Sequence, residues 1–183
     1  EVIHDLDDSV QLPWLEDKGI RLVRGSGKLT GEKTVTAGEH EITASRAVVI
    51  STGTRPAMPP IDGLADSSPW NNRDATTAKK APASMLVLGG GPVGVELAQA
   101  WASFGTDVTL IDLDPRLLAR EEPFAAEQVE KSLRERFGVE VVTGAKTTKV
   151  SREGATVKLS LEDGREFEAE EILAATGRKP NSD

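Results

Sequence analysis

"MLVLGGGPVGVELAQA", residues 85–100, decides how this chain folds. Gly89, Gly91 and Gly94 stand in G-x-G-x-x-G spacing between an apolar run and a helical pattern. The spacing alone is a weak signal, because glycines cluster in turns. Its context is stronger. "MLVL" reads as a strand. A helix opens at Pro92, whose missing N–H costs nothing in a first helical turn. Val93, Leu97, Ala98, Trp101 and Phe104 recur on one helical face, and Gly105 ends the helix. "DVTLID" (107–112) is a second strand, closing on Asp112, 23 residues after Gly89. In this arrangement Gly89 allows a tight turn, Gly91 lets backbone approach a pyrophosphate, and Gly94 lets helix and strand pack closely. The helix N-terminus adds free N–H groups and positive dipole. Residues Gly89, Gly90, Gly91, Pro92, Val93 and Gly94 therefore read as a dinucleotide cradle.

Asp112 bears on which dinucleotide. A carboxylate accepts both adenosine-ribose hydroxyls and repels a 2′-phosphate, so the expected ligand is NAD(H) rather than NADP(H). Arg116 is a lone cation beside two carboxylates, Asp112 and Asp114, which makes a poor phosphate site. Glu96 is read in the first turn of the glycine-loop helix. It serves equally well as a partner of the helix dipole or as a contact for the nicotinamide.

The rest of the chain surrounds this unit. Residues 2–19 suggest a helix interrupted or restarted at Pro13, and "IRLVR" (20–24) a strand. Short strands near 33–36 and 40–43 flank Gly38 as a hairpin. "AVVIS" (47–51) reads as a strand buried on both faces. Five prolines between 54 and 83 mark a connector. After Asp112, a helix near 123–136 would bury Ala125, Val129 and Leu133, and "GVEVV" (138–142) is a third strand. "TTKVSR", "ATVKLSL" and "REFEAE" follow as an antiparallel set with a turn at Asp163-Gly164, then a buried strand at 171–175. The fold class is α/β, a Rossmann-like parallel sheet plus an antiparallel β-meander.

An echo organises the domains. "VVISTGTRP" (48–56) and "ILAATGRKP" (172–180) share an apolar strand followed by T-G-x-x-P. One domain is left near Thr52 and re-entered after Gly177, with the dinucleotide unit inserted between. The boundaries expected are 1–64, a connector 65–81, the dinucleotide domain 82–176 and a return segment 177–183.

Bulk properties narrow the classes. The net charge of −8 and the lack of a basic stripe argue against nucleic acid. The absence of cysteine removes disulfides, thiol catalysis and cysteine-based zinc sites from this chain, and no other metal spacing emerges. No apolar run approaches bilayer-spanning length and no signal segment is visible, so the expected location is the cytoplasm. The chain starts at Glu1 within a helical pattern, which fits a piece of a longer protein.

Together, "STGTRPAMPPIDG" (51–63), "GGGPVGVELA" (89–98), "VTLID" (108–112), "PRLLAREEP" (115–123) and "ATGRKPN" (175–181) resemble the central region of the pyridine nucleotide-disulfide oxidoreductases. That resemblance implies a nicotinamide-binding domain inserted in an FAD-binding domain, with hydride passing between NAD(P)H and flavin. It implies that Thr52, Gly53 and Thr54 lie near FAD and that Glu96 approaches the nicotinamide. Backbone near Thr147 would line the adenine pocket, and Gly177 and Arg178 would border the nicotinamide side. Pro92 stands where the family often has an aromatic gate, and Gly94 where NADP-specific members often have Ala. The family's FAD glycine loop, redox cysteines and dimerisation domain do not occur in this chain. Residues 1–64 would then be part of an FAD domain, a longer protein would dimerise through a region outside this chain, and the chain alone would not be catalytic. The alternatives are a stand-alone dinucleotide-binding module, or a flavin-dependent NADH oxidase or a ferredoxin or quinone reductase lacking a redox disulfide.

Overall fold

The structure, a computed structural model, describes residues 7–182. Contacts divide the chain into two compact units between Ser51 and Thr52.

The first unit is small. A single 3-10 turn, Ser9–Gln11, leads into α1 (Leu12–Asp17), with Pro13 in its first turn. Pro13 thus starts a helix rather than interrupting one. Residues 2–6 of the expected helix lie outside the described residues. An antiparallel meander follows, β1 (Gly27–Gly31), β2 (Thr34–Ala37) and β3 (His40–Thr43), in that order. Gly38 takes φ 58° in the β2–β3 turn, as a tight hairpin requires. Two expected strands are absent. Residues 20–24 are irregular, with Ile20 and Leu22 exposed. "AVVIS" is also irregular, and Val49 is 86% exposed. The physical reason is the same for both. A strand exists through its ladder, and among the described residues neither segment has a neighbouring strand.

The second unit is built on a parallel sheet. Its strands are β5 (Ser84–Leu88), β6 (Asp107–Ile111), β7 (Glu140–Val142) and β11 (Glu171–Ala174), in the order β11-β5-β6-β7. Both faces are covered, which explains the unbroken apolar run in β5. Met85 and Val87 face a core shared with Val95, Ala98, Trp101 and Leu133. These last four belong to α3 (Pro92–Ser103) and α4 (Pro123–Phe137). Leu86 and Leu88 face a second core with Val150, Val157 and Leu159. That core lies under the antiparallel sheet β8 (Thr147–Glu153), β9 (Thr156–Leu161) and β10 (Glu166–Ala169). The unit is a Rossmann-type half with a β-meander on one face.

Both helix faces differ in detail from the sequence periodicity. In α3, Ala98 and Trp101 are buried, but Phe104 caps the helix end and is 69% exposed, touching Trp101 only edge-on. Gly105 follows at φ 89°. In α4, Ala126 rather than Ala125 is buried, with Leu133. The proline-rich stretch holds two short elements, β4 (Thr54–Pro56) and α2 (Asn72–Thr77). A reciprocal capping box starts α2. The Asn71 side chain accepts from the Arg73 N–H, and Asp74 accepts from the Asn71 N–H. The last strand, β12 (Arg178–Pro180), pairs antiparallel with β4. Among the described residues no helix is long and apolar enough to cross a membrane.

Candidate functional site

The site lies where the sheet order reverses. β6 lies on one side of β5 and β11 on the other, and open α/β sheets bind ligands beyond the carboxyl ends of strands at such a switch. The glycine loop leaves β5 there and enters α3.

Each glycine has a separate physical reason. Gly89 takes φ 110°, and a Cβ on it would sit 2.6 Å from the Ala175 carbonyl oxygen. A Cβ on Gly90 would meet Asp112 Oδ2 at 2.4 Å and Leu117 at 2.6 Å. A Cβ on Gly94 would lie 1.8 Å from the Gly89 carbonyl oxygen. Gly91 is different. It has ordinary extended backbone at φ −74°, and a Cβ on it would meet no atom of the described residues within 4 Å. Three glycines are therefore demanded by packing, and Gly91 alone faces open space. That space lies at the N-terminus of α3, whose cap makes no side-chain hydrogen bond. Pro92 has no N–H, so the Val93 and Gly94 amides are left for an anion. The loop fits a pyrophosphate.

Asp112 follows β6 and is half-buried. Its Oδ2 accepts the Gly90 N–H and its Oδ1 accepts the Asp114 N–H at 2.9 Å. Its own N–H donates to the Val142 carbonyl, and its carbonyl accepts from Ala145, both at 2.9 Å. The carboxylate is thereby fixed beside the glycine loop with lone pairs remaining on both oxygens. Arg116 is committed to backbone carbonyls. Its guanidinium donates to the carbonyls of Leu118 (2.9 Å), Ala119 (2.7 Å) and Glu121 (2.8 Å).

Glu96 is the fifth residue of α3, past the first turn, and exposed. The dipole effect fades beyond the first turn, so the expected placement within that turn is corrected. Thr147 opens β8 and is 9% exposed, and its buried Oγ1 has no hydrogen-bond partner among the described residues.

The two T-G turns come together. Gly53 takes φ 71° and Gly177 φ 132°. The Thr52 and Gly53 carbonyls accept from Asn181, through its side chain at 3.1 Å and its backbone at 3.0 Å. Arg178 donates to the Thr54 hydroxyl, to the Thr54 carbonyl at 2.7 Å and to Asn72 Oδ1 at 2.9 Å. The Gly177 carbonyl accepts the Ala57 N–H at 2.9 Å. Sequence reading missed Asn72, Asn181 and Leu117. Asn181 closes the motif "ATGRKPN" (175–181), which was its visible signal. Nothing local marked the other two.

The profile of the family described as pyridine nucleotide-disulphide oxidoreductase matches residues 5–183. The mercuric reductase of Bacillus cereus is 34% identical over 183 residues, covering 98% of this chain and 29% of that protein. Among solved structures, the HOCl-induced flavoprotein disulfide reductase RclA from Escherichia coli superposes with a TM-score of 0.79 at 27% identity, covering 92% of this chain and 39% of that one. The water-forming NADH oxidase from Lactobacillus brevis, bound to NADH, gives a TM-score of 0.61 at 25% identity, covering 82% and 36%. The chain thus spans less than a third of the mercuric reductase it matches. These relatives are oxidoreductases, and the expectation from the five sequence motifs holds: the chain belongs to the pyridine nucleotide-disulphide oxidoreductase family.

Proposed function

We propose that this chain is the pyridine nucleotide-binding part of an FAD-dependent oxidoreductase, and that it holds NAD(H) in preference to NADP(H). The observation that carries the reading is the open space at Gly91, beside a helix N-terminus without a side-chain cap. The amides of Val93 and Gly94 would hold the pyrophosphate, and Gly91 would let it approach. Asp112, oriented by the Gly90 amide, would accept the ribose hydroxyls and repel a 2′-phosphate. Glu96 would face the nicotinamide end, and Gly177 and Arg178 would border it. Backbone at Thr147 would line the adenine pocket. Thr52, Gly53 and Thr54 would meet FAD, with residues 1–64 and 177–183 belonging to the flavin domain and 82–176 to the inserted one.

The nicotinamide supplies the hydride; these residues bind and orient it, and none is assigned a catalytic role. The longer protein would be dimeric and cytoplasmic, with a disulfide or a metal ion as its electron acceptor. The likeness to a water-forming NADH oxidase supports a second reading, with oxygen as the acceptor. Calorimetric titration of the purified chain with NADH and NADPH tests the cofactor assignment. NADH is expected to bind more tightly. Tighter NADPH binding refutes the ribose assignment. Residues 1–64 and 177–183, as part of a flavin domain only, are not expected to retain FAD by themselves, and a chain that is yellow with bound FAD on purification refutes that.

A further inference from the structure

Asp112 does not stand alone at the adenosine-ribose end. Four residues on, Arg116 is half-buried, and both its terminal nitrogens are engaged with backbone. Nη1 donates to Leu118 and Nη2 to Ala119 and Glu121. These bonds close the chain from 117 to 121 around the guanidinium. That loop backs the glycine cradle. The Leu118 N–H donates to the Gly90 carbonyl at 2.9 Å, and Leu118 holds a strained φ of 49°. Leu117 is fully buried, and its side chain fills the space where Gly90 would carry a Cβ. Gly90 is thus held from two sides, by the Asp112 carboxylate and by the loop that Arg116 ties.

We propose that Arg116 is a positioning residue for cofactor selectivity: it locks loop 117–121 behind Gly90 and withholds its own charge from a 2′-phosphate. Rejection of NADP(H) then has two parts. Asp112 repels the phosphate, and the nearby guanidinium that would attract it is committed to carbonyls. Removing Asp112 abolishes the first part and leaves the second. The inference rests on the dinucleotide reading above.

Calorimetry on the purified chain, well below its melting temperature, separates the two. Asp112→Ala is expected to weaken NADH about tenfold, the loss of roughly one charge-assisted hydrogen bond, and to leave NADPH affinity within about threefold of wild type, because losing the carboxylate's bond to the remaining ribose hydroxyl offsets the relieved repulsion. Arg116→Gln and Arg116→Lys are both expected to weaken NADH about fivefold or more, because an ammonium keeps the charge but not the planar fork. A residue that only stabilised the fold would lower the melting temperature and leave this affinity in place. NADPH binding about tenfold tighter in Asp112→Ala, with the gain lost in Asp112→Ala/Arg116→Gln, overturns the proposal, because Arg116 would then have swung to the phosphate. Wild-type NADH affinity in Arg116→Gln overturns it too. A wild-type chain that binds neither nucleotide overturns the dinucleotide reading and this proposal with it.

Discussion

Two alanine substitutions three residues apart should have opposite signatures. At Gly94 an added Cβ lies 1.8 Å from the Gly89 carbonyl oxygen and 3.0 Å from its carbon, with Ala175 Cβ at 3.5 Å on another side. The clashing atoms are backbone, so α3 must withdraw from the end of β5. Overpacking of this kind costs about 1–3 kcal/mol, offset by roughly 1 kcal/mol from replacing glycine inside a helix. Because the atoms met are backbone, the cost falls at the upper end of that range, and the net of about 2 kcal/mol lowers the melting temperature of a chain of this size by about 4–8 °C. At Gly91 the backbone suits any residue and the Cβ meets nothing. Alanine is a poorer N-cap than glycine, but it restricts the unfolded chain by about 0.4–1 kcal/mol, so the two effects nearly cancel. The melting temperature should stay within about 2 °C. The methyl group would occupy the approach to the Val93 and Gly94 amides. Losing one hydrogen bond to a charged phosphate costs about 1.5–3 kcal/mol, or roughly 10- to 150-fold in NADH affinity. Thermal unfolding by circular dichroism and NADH calorimetry on both variants decide the matter. Gly91→Ala binding NADH like wild type would show that the open space is not the pyrophosphate site. Gly94→Ala melting like wild type would refute the packing argument.

Three further outcomes are expected. Thr147→Val should raise stability by about 1 kcal/mol in chemical denaturation, because the buried hydroxyl has no partner and valine keeps the shape. It should leave NADH affinity unchanged if Thr147 serves the adenine through its backbone. Arg152→Ala should destabilise by about 2–4 kcal/mol: Arg152 pairs with the largely buried Glu171 and donates to the carbonyls of Ser67 and Glu170, so its loss strands a carboxylate. Urea unfolding monitored by tryptophan fluorescence measures this. Finally, the Arg165 side chain, then its backbone N–H, hold the Asp163 carboxyl below its ordinary value of 3.8. A depressed carboxyl stabilises the fold above that value and ceases to as pH falls through the folded pKa. The difference in melting temperature between wild type and Asp163→Asn, followed from pH 7 downward, should therefore vanish in strong acid.

What the sequence revealed was local. Strand, glycine turn, helix and Asp112 fall within 28 residues, and each has a signature at fixed spacing. The apolar run 85–88 was legible as a strand, and the structure adds that Met85 and Val87 face one core and Leu86 and Leu88 the other. The errors share one cause. "AVVIS" and "IRLVR" have strand composition, yet composition does not supply a partner. The converse holds for β1, whose "GKLTG" is glycine-rich and polar but is held by pairing with β2. Long-range bonds were equally hidden. Arg178 reaches Asn72 across 106 residues of sequence, and no pattern in one dimension marks that contact. In sequence Arg116 reads only as a phosphate ligand, because its commitment to three carbonyls depends on how the loop folds back.

The echo carries more meaning in the structure than in the sequence. Adding 124 to residues 54–56 gives 178–180, and these two segments pair with each other as β4 and β12. The register is Thr54 with Pro180, Arg55 with Lys179 and Pro56 with Arg178. Each copy thus pairs with the reverse of its counterpart about a centre at Arg55 and Lys179, an approximate twofold. The prolines occupy the two ends, where a missing N–H does least harm to a ladder. The arrangement ties the glycine loop to the β4–β12 ribbon. Gly89 packs against the Ala175 carbonyl, Ala175 donates back to Leu88, and two residues later the chain turns at Gly177 into the ribbon. A displacement of the glycine loop would therefore be felt first at Thr176 and Gly177. Those residues anchor Ala57 through the Thr176 hydroxyl and the Gly177 carbonyl, so the repeat links the glycine loop, through β11, to the chain that precedes α2.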